Sequence, residues 1–312
     1  MESPSVDILV ATYNGARFLR PQIESLLAQK DVSFRILVRD DGSSDGTPGV
    51  IEHYVRSRPD CFVFFESSEN LGTAGNFAYL LARAKAPYVA LCDQDDVWVP
   101  HKLRTLLDTM RALEARNGAG TPMLVHSDLA VVDEELRKRH ASFWRYSGFD
   151  PRRTRLPQLL LKNTVTGCAS LINRALIELA LPVPPAALMH DYWLALVACA
   201  AGRLVAVDEP LVFYRQHRHN VIGAQAYSWS SIAERFDQLG KWDIGAQRGQ
   251  AAALSERCHA AISEESIALI SDFVGLPERN WLGRRWLLVR RGILMPGFMR
   301  NIALLLCVRL GK

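Results

Sequence analysis

The chain has 312 residues, of which 49% are hydrophobic and 22% charged. That is the balance of a folded globular protein with one large domain or two modest ones, and it excludes disorder, collagen and coiled coil as global descriptions. The net charge of +4 conceals an asymmetry: from Arg279 onward there are eight basic residues and no acidic one, so the first 278 residues carry −4. A basic tail on an acidic body points to a polyanionic surface as its partner. No recognition motif accompanies the charge and pI of 8.8, so nucleic acid is not expected. The six cysteines form no CxxC pair and most sit in apolar surroundings, as in Ala90-Leu91-Cys92, which reads as reduced, packed thiols. The first residues lack a basic n-region, and no run of 18 uncharged apolar residues occurs. The expectation is a cytoplasmic protein without a membrane span.

In chain order, Val6–Ala11 reads as a buried strand followed by a helix over 16–29. Phe34–Val38, Cys61–Phe65 and Tyr88–Cys92 are further strands, with helices over 47–56, 73–84 and 100–116. Pro100 in a first turn and Gly118 beyond an end suit those limits. Near-continuous apolar strands alternating with helices predict an α/β fold, with a mainly parallel sheet covered on both faces. Met123–His126 and Ala169–Ile172 continue the strands, and Tyr192–Ala201 is helical. Leu204–Val207 and Leu211–Tyr214 read as a hairpin across Asp208-Glu209-Pro210. Beyond about Ala224 an Ala-, Arg- and Leu-rich composition predicts a helical appendage, giving domains over 1–224 and 225–312.

Ligands of such sheets bind beyond the carboxyl ends of the strands. The segments found there are Thr12-Tyr13-Asn14, Asp40-Asp41-Gly42-Ser43-Ser44-Asp45-Gly46, Asn70-Leu71-Gly72 and Asp93-Gln94-Asp95-Asp96. Three carboxylates in four residues repel one another unless a cation neutralises them. All-oxygen ligands suit Mg²⁺ or Mn²⁺ shared with phosphates, and an acidic turn before the next helix is the plainer alternative. Asp40 and Asp41 before a glycine suit hydrogen bonds to a base or ribose, or only a turn. No GxGxxG follows the first strand and no GxxxxGK[ST] occurs, which disfavours a dinucleotide dehydrogenase and excludes a P-loop NTPase. Asp191 in His190-Asp191-Tyr192-Trp193 is either a helix cap or a general base, and its aromatic neighbours are suited to frame a sugar. Tyr214-Arg215-Gln216-His217 offers cationic and imidazole groups to a diphosphate or a metal, or else a solvated surface.

Six segments in this order, Ala11-Thr12-Tyr13-Asn14-Gly15, Asp40–Thr47, Asn70-Leu71-Gly72 with Asn76-Phe77, Asp93–Trp98, His190–Trp193 and Tyr214–His217 with Asn220, resemble family 2 glycosyltransferases of the GT-A, nucleotide-diphospho-sugar transferase fold. The last two are similar to its rhamnosyltransferase-like branch, and the match covers roughly residues 5–224. The resemblance implies donor binding by Thr12, Tyr13, Asn14, Asp41, Asn76, Asp93 and Arg215, and a metal on Asp95 with His217. It makes Asp191 the catalytic base and puts Trp98, Asp128, Tyr192 and Trp193 around the acceptor or sugar. It implies an inverting transfer from a nucleotide sugar, dTDP-rhamnose for this branch, to a glycan or lipid-linked acceptor in surface polysaccharide assembly. The Gln-x-x-Arg-Trp motif of the processive synthases is absent, so one sugar is added per encounter. The alternative in another class is a non-catalytic nucleotide-sugar or membrane-surface binding subunit.

In the tail, Leu282, Trp286, Val289 and Ile293 fall within an arc of about 60° on a helical wheel, with Arg284 and Arg291 opposite. Residues 279–312 thus read as a helix on an anionic membrane surface, on the inner face of the cell membrane, or as one packed on the body with solvated arginines.

Overall fold

Four apolar runs form β1 (Val6–Thr12), β2 (Phe34–Asp40), β3 (Phe62–Phe65) and β4 (Tyr88–Asp93) of a computed structural model that describes residues 4–218 and 243–307. They lie parallel in the order β3-β2-β1-β4 and are connected through α1 (Ala16–Leu27), α2 (Thr47–Ser57) and α3 (Gly72–Leu81). A parallel sheet with helices on both faces has no polar side, which is why these strands read as unbroken apolar runs. Along β1, Val6, Ile8 and Val10 pack with Ile23, Ile51 and Leu106, while Leu9 packs on the opposite face with Phe77, Leu80 and Trp193. The period of two thus feeds two separate cores.

The chain continues through β5 (Val97–Trp98), α4 (Lys102–Asn117), β6 (Met123–Val132), β7 (Lys138–His140), α5 (Phe143–Ser147) and α6 (Leu156–Leu159). It then runs through β8 (Ser170–Asn173), α7 (Arg174–Ala180), α8 (His190–Ala201) and β9 (Arg203–Arg215). The fold is α/β as expected, but the second half of the sheet is mixed. Strand β8 inserts antiparallel between β4 and β6, β6 and β9 are parallel, and β9 pairs antiparallel with β5. The expected hairpin is one long strand instead. Its register against β6 shifts between Ser127 and Asp128, where Asp128 faces Pro210. The missing amide of Pro210 is absorbed by an irregularity while the strand carries on. That continuation delivers Tyr214 and Arg215 to the loop after β4.

Helices α9 (Gly245–Cys258), α10 (Glu264–Val274), α11 (Trp281–Arg290) and α12 (Phe298–Cys307) make the C-terminal region helical. Leu254, Phe273 and Leu288 share a core with Phe77 and Trp193. Of the expected apolar stripe, Leu282, Trp286 and Val289 are exposed but Ile293 is fully buried, because the chain turns back at Gly292 (φ 66°) after α11 ends. The anticipated boundary at 224, Asn220 and the last five residues lie outside the described residues. Among the described residues no helix is long and apolar enough to cross a membrane, and Cys61, Cys92, Cys168, Cys199 and Cys258 are free thiols.

Candidate active site

The loops at the carboxyl ends of β1, β2 and β4 are tied to one another. Thr12 Oγ1 donates to Asp40 Oδ1 at 2.8 Å. Asn14, at φ 47°, donates its amide to Ser43 Oγ (2.8 Å) and accepts from the Ser44 amide (2.9 Å). The Tyr13 amide donates to Gln94 Oε1 and Gln94 Nε2 donates to the Tyr13 carbonyl, both at 2.9 Å. A Cβ at Gly15 would lie 2.1 Å from Gln94 Oε1, so only glycine admits this approach. Tyr13, half exposed, caps the rim.

Asp41 is nearly buried and its Oδ1 accepts from the guanidinium of buried Arg39 and from the Leu71 amide (2.8 Å). Arg39 also donates to Ser67 Oγ (3.1 Å) and the Glu69 carbonyl (3.0 Å). A buried carboxylate is stable there because it is paired and hydrogen-bonded at once.

The four residues after β4 point in different directions. Asp95 Oδ2 lies 2.7 Å from His217 Nε2, and the His217 ring stacks on Phe18 at 4.6 Å. Asp96 is fully buried and accepts from the Arg215 amide (3.0 Å). Burial pushes the Asp93 carboxyl up to about 7, and the charges of Asp95 and Asp191 push the same way. Burial raises Asp96 well above the carboxylate range, with Asp95 and Asp93 adding to it. Behind them the buried Lys102 Nζ donates to the Cys168 carbonyl (2.5 Å) and sits 3.0 Å from the Trp98 ring centre. Its pKa is pulled down to about 7 by burial, against the pull of the acids.

Two donor sets for a cation are therefore present. Asp93, Asp96 and Cys168 bring their ligand atoms within 4.8 Å of one another. Burial holds the Cys168 thiol well above its usual range, however, and a protonated thiol is a poor ligand for a hard divalent cation. Asp95 with His217 offers a carboxylate oxygen and an imidazole nitrogen at the rim, and this pair fits a divalent cation such as Mn²⁺.

Asp191 sits in the first turn of α8. Its Oδ1 accepts from the Tyr192 amide (2.6 Å) and its Oδ2 from the Gly167 amide (3.1 Å). Burial raises its pKa to about 6, and these hydrogen bonds, together with one from Asn163, restrain the rise. That value makes it a proton acceptor just below neutrality. Its influence on Asp93 puts Asp191 and the acid loop in one electrostatic neighbourhood.

Several expected site residues take other places. Trp98 (2% exposed) covers Lys102 in the core rather than lining a sugar pocket. Trp193 is fully buried and donates Nε1–H to the Ala180 carbonyl (2.9 Å), and Tyr192 donates its hydroxyl to the Leu159 carbonyl (2.6 Å). Asp128 accepts from Ser142 Oγ and from the Leu129 and Trp144 amides. Helix α8 is buried nearly all round, and a buried carboxylate must spend its oxygens on such donors. Arg215, also buried, braces the acid loop: its Nε donates to the Asp95 carbonyl (2.7 Å) and its Nη1 to the Glu134 carbonyl. Asn76 is buried and donates to the Arg39 carbonyl (3.3 Å). Sequence reasoning missed Arg39, Lys102 and Gly167. Only the arginine carried a signal, as a charge inside a strand two residues before Asp41.

Residues 7–180, more than half of the chain, match the profile described as "Glycosyl transferase family 2". A dTDP-rhamnosyl transferase RfbG of Shigella flexneri is 25% identical over 247 residues, covering 75% of this chain and 80% of its own. The putative glycosyltransferase EpsH of Bacillus subtilis is 30% identical over 148 residues, 45% of this chain and 42% of its own. Among solved structures, the mannosyltransferase PcManGT of Pyrobaculum calidifontis, in complex with GDP-Man and Mn²⁺, superposes with a TM-score of 0.51 at 17% identity, covering 94% of this chain and 87% of its own. Residues 1–349 of S. aureus TarS, in complex with UDP-GlcNAc, superpose with a TM-score of 0.54 at 15% identity, covering 93% of this chain and 88% of the other. These likenesses show the GT-A fold.

Proposed function

Since the chain belongs to glycosyl transferase family 2, we propose that it moves a rhamnosyl residue from dTDP-rhamnose to a hydroxyl of a glycan or lipid-linked acceptor, with inversion, in surface polysaccharide assembly. The donor is inferred from the RfbG relative. The observation that carries the reading is that Asp191, a partly buried carboxylate held by two backbone amides, lies close enough to the strand-end acid Asp93 to raise its pKa. In the proposed step the acceptor oxygen bonds to the anomeric carbon while the bond from that carbon to the diphosphate oxygen breaks. The electron pair leaves with the nucleoside diphosphate and the hydroxyl proton passes to Asp191. Base assistance of this kind contributes roughly 10²–10⁴-fold.

Thr12, Tyr13, Asn14 and Asp41 form the edge that takes the nucleoside, with Arg39 fixing the carboxylate of Asp41. Asp95 and His217 would hold Mg²⁺ or Mn²⁺, which offsets the charge on the leaving diphosphate. A nitrogen ligand beside a carboxylate favours Mn²⁺. The site of action is the cytoplasmic side of the cell membrane, reached through the basic region from 279 onward.

A thermal-shift series of nucleoside diphosphates and nucleotide sugars, with and without Mn²⁺, tests the reading. A ligand at ~100 times its Kd stabilises the fold by ~2.7 kcal/mol. The expected result is a Mn²⁺-dependent shift with dTDP or dTDP-rhamnose, lost in Asp95→Ala and kept in Asp191→Asn. A shift confined to another nucleotide overturns the donor, and no shift with any nucleotide overturns the transferase site.

A further inference from the structure

Among the described residues ten large hydrophobic side chains are exposed, and six belong to α11 and α12: Trp281, Leu282, Trp286, Val289, Phe298 and Leu306. Helix α11 is held to the body by buried Leu287 and Leu288, yet leaves Trp281 54% and Trp286 56% exposed. The guanidinium carbons of Arg285 and Arg290 lie 4.2 and 4.7 Å from the centres of these two indole rings. An aromatic face bordered by arginine is suited to the boundary between lipid headgroups and acyl chains, where the rings find apolar surroundings and the charges stay wet.

Beside this face are two adjoining clefts of about 580 and 570 Å³, whose walls share Arg155, Arg290 and Arg291. Arg153 lines the first cleft and Arg203 the second, and Val289 of the exposed face also lines the first. Five arginines line the two clefts against a single lining carboxylate, Glu265. Arg291 is paired with Asp272 and Arg153 donates to the Leu294 carbonyl. Arg203 donates to the Gly202 carbonyl (3.0 Å). Among the described residues no ion pair involves Arg155, Arg203 or Arg290. Cations gathered without matching carboxylates repel one another, and phosphate oxygens match the donor fork of arginine.

We propose that the arginine-lined cleft between the 153–158 segment and α11 binds the phosphate of an anionic lipid while Trp281, Leu282, Trp286 and Val289 enter the membrane interface. This gives the membrane contact of the reading above a headgroup site, and it rests on no step of sugar transfer.

Co-sedimentation of the full chain with vesicles tests it, using phosphatidylcholine alone or mixed with phosphatidylglycerol or phosphatidic acid. Binding to both anionic mixtures and not to the neutral vesicles is expected. Each arginine near an anionic surface contributes about fivefold in affinity, so Arg155→Ala with Arg290→Ala lowers partition about 25-fold. Trp281→Ser with Trp286→Ser lowers it at least about tenfold, the order expected for loss of two buried rings. Inorganic phosphate is the second probe. It is expected to raise the melting temperature of the wild-type chain, but not of the arginine pair variant, and to release the wild type from phosphatidic acid vesicles. Equal binding to neutral and anionic vesicles overturns the proposal, as does stabilisation by phosphate without any vesicle binding, which assigns the cleft to a free phosphate. A dimer in size-exclusion chromatography that the tryptophan substitutions dissociate, with no vesicle binding, also overturns it by making the face a contact between copies. The nucleotide-dependent thermal shift, measured in the same variants, separates failure of docking from failure of the fold or of the transferase site.

Discussion

Replacing Asp191 by Asn removes a charge that the fold holds unfavourably. Burial raises this carboxyl from 3.8 to about 6, and each unit corresponds to about 1.4 kcal/mol of preference for the neutral form. A carboxyl whose folded pKa lies above its unfolded value binds its proton more tightly when folded. Its contribution to stability is therefore fullest below the unfolded value and is lost as pH rises through about 6. At pH ~7 the charged form destabilises the chain by up to about 3 kcal/mol. Asp191→Asn relieves that cost, but its amide NH₂ must face either the Gly167 or the Tyr192 N–H that now donates to the carboxylate, a loss of about 1 kcal/mol. The net expectation is a variant about 2 kcal/mol more stable than wild type at pH ~7 and no more stable below pH ~4. Urea unfolding at the two pH values reads this difference directly. Transfer in the variant falls by roughly 10²–10⁴-fold, and the wild-type rate itself declines below pH ~6 as the base takes up its proton. Equal stability of variant and wild type at neutral pH would refute the desolvation argument. A wild-type transfer rate in Asp191→Asn would refute its assignment as base.

Arg215→Ala leaves the partly buried carbonyls of Asp95 and Glu134 without this donor; a loss of about 2 kcal/mol is expected in urea unfolding, together with a weaker Mn²⁺-dependent donor shift. Arg215→Lys does not restore either, because one ammonium cannot reproduce a planar fork reaching two carbonyls. Trp98→Ala costs about 3–5 kcal/mol of stability, measured by unfolding, whereas a sugar-lining residue would raise KM at unchanged Tm. Gly15→Ala forces Gln94 away from the Tyr13 backbone; donor KM should rise by about 10- to 100-fold while the melting temperature changes little.

The first half of the sheet was legible because buried parallel strands leave a distinctive trace: both faces of β1 and β2 need apolar residues, and Gly, Asp and Asn mark the turns that follow. The second half was not, since β8 has four residues and its antiparallel place between β4 and β6 depends on long-range pairing. The Asp208-Glu209-Pro210 segment has the composition of a turn, and only the continued pairing of β9 with β6 makes it an irregularity within a strand.

At the site, the order of acids after the strands was readable but the role of each acid was not. Asp93, Asp95 and Asp96 are alike in sequence, and what separates them is what lies behind: a histidine for Asp95, the Arg215 amide for Asp96, and the field of Asp191 for Asp93. Those partners come from 98 to 122 positions away, beyond any local pattern. The aromatics misled for a related reason. Tyr192 and Trp193 follow Asp191 directly, so proximity in sequence gave them to the sugar. Yet the run from Leu194 to Ala201 carries no charge at all, and a helix with no polar face has to be covered on every side. The absence of a charge after Asp191 was the available sign that only the first turn of α8 reaches the acid loop. In a helix covered on every side, the carboxylate that can still face the acid loop is the one at the N-terminal edge, where backbone amides hold it.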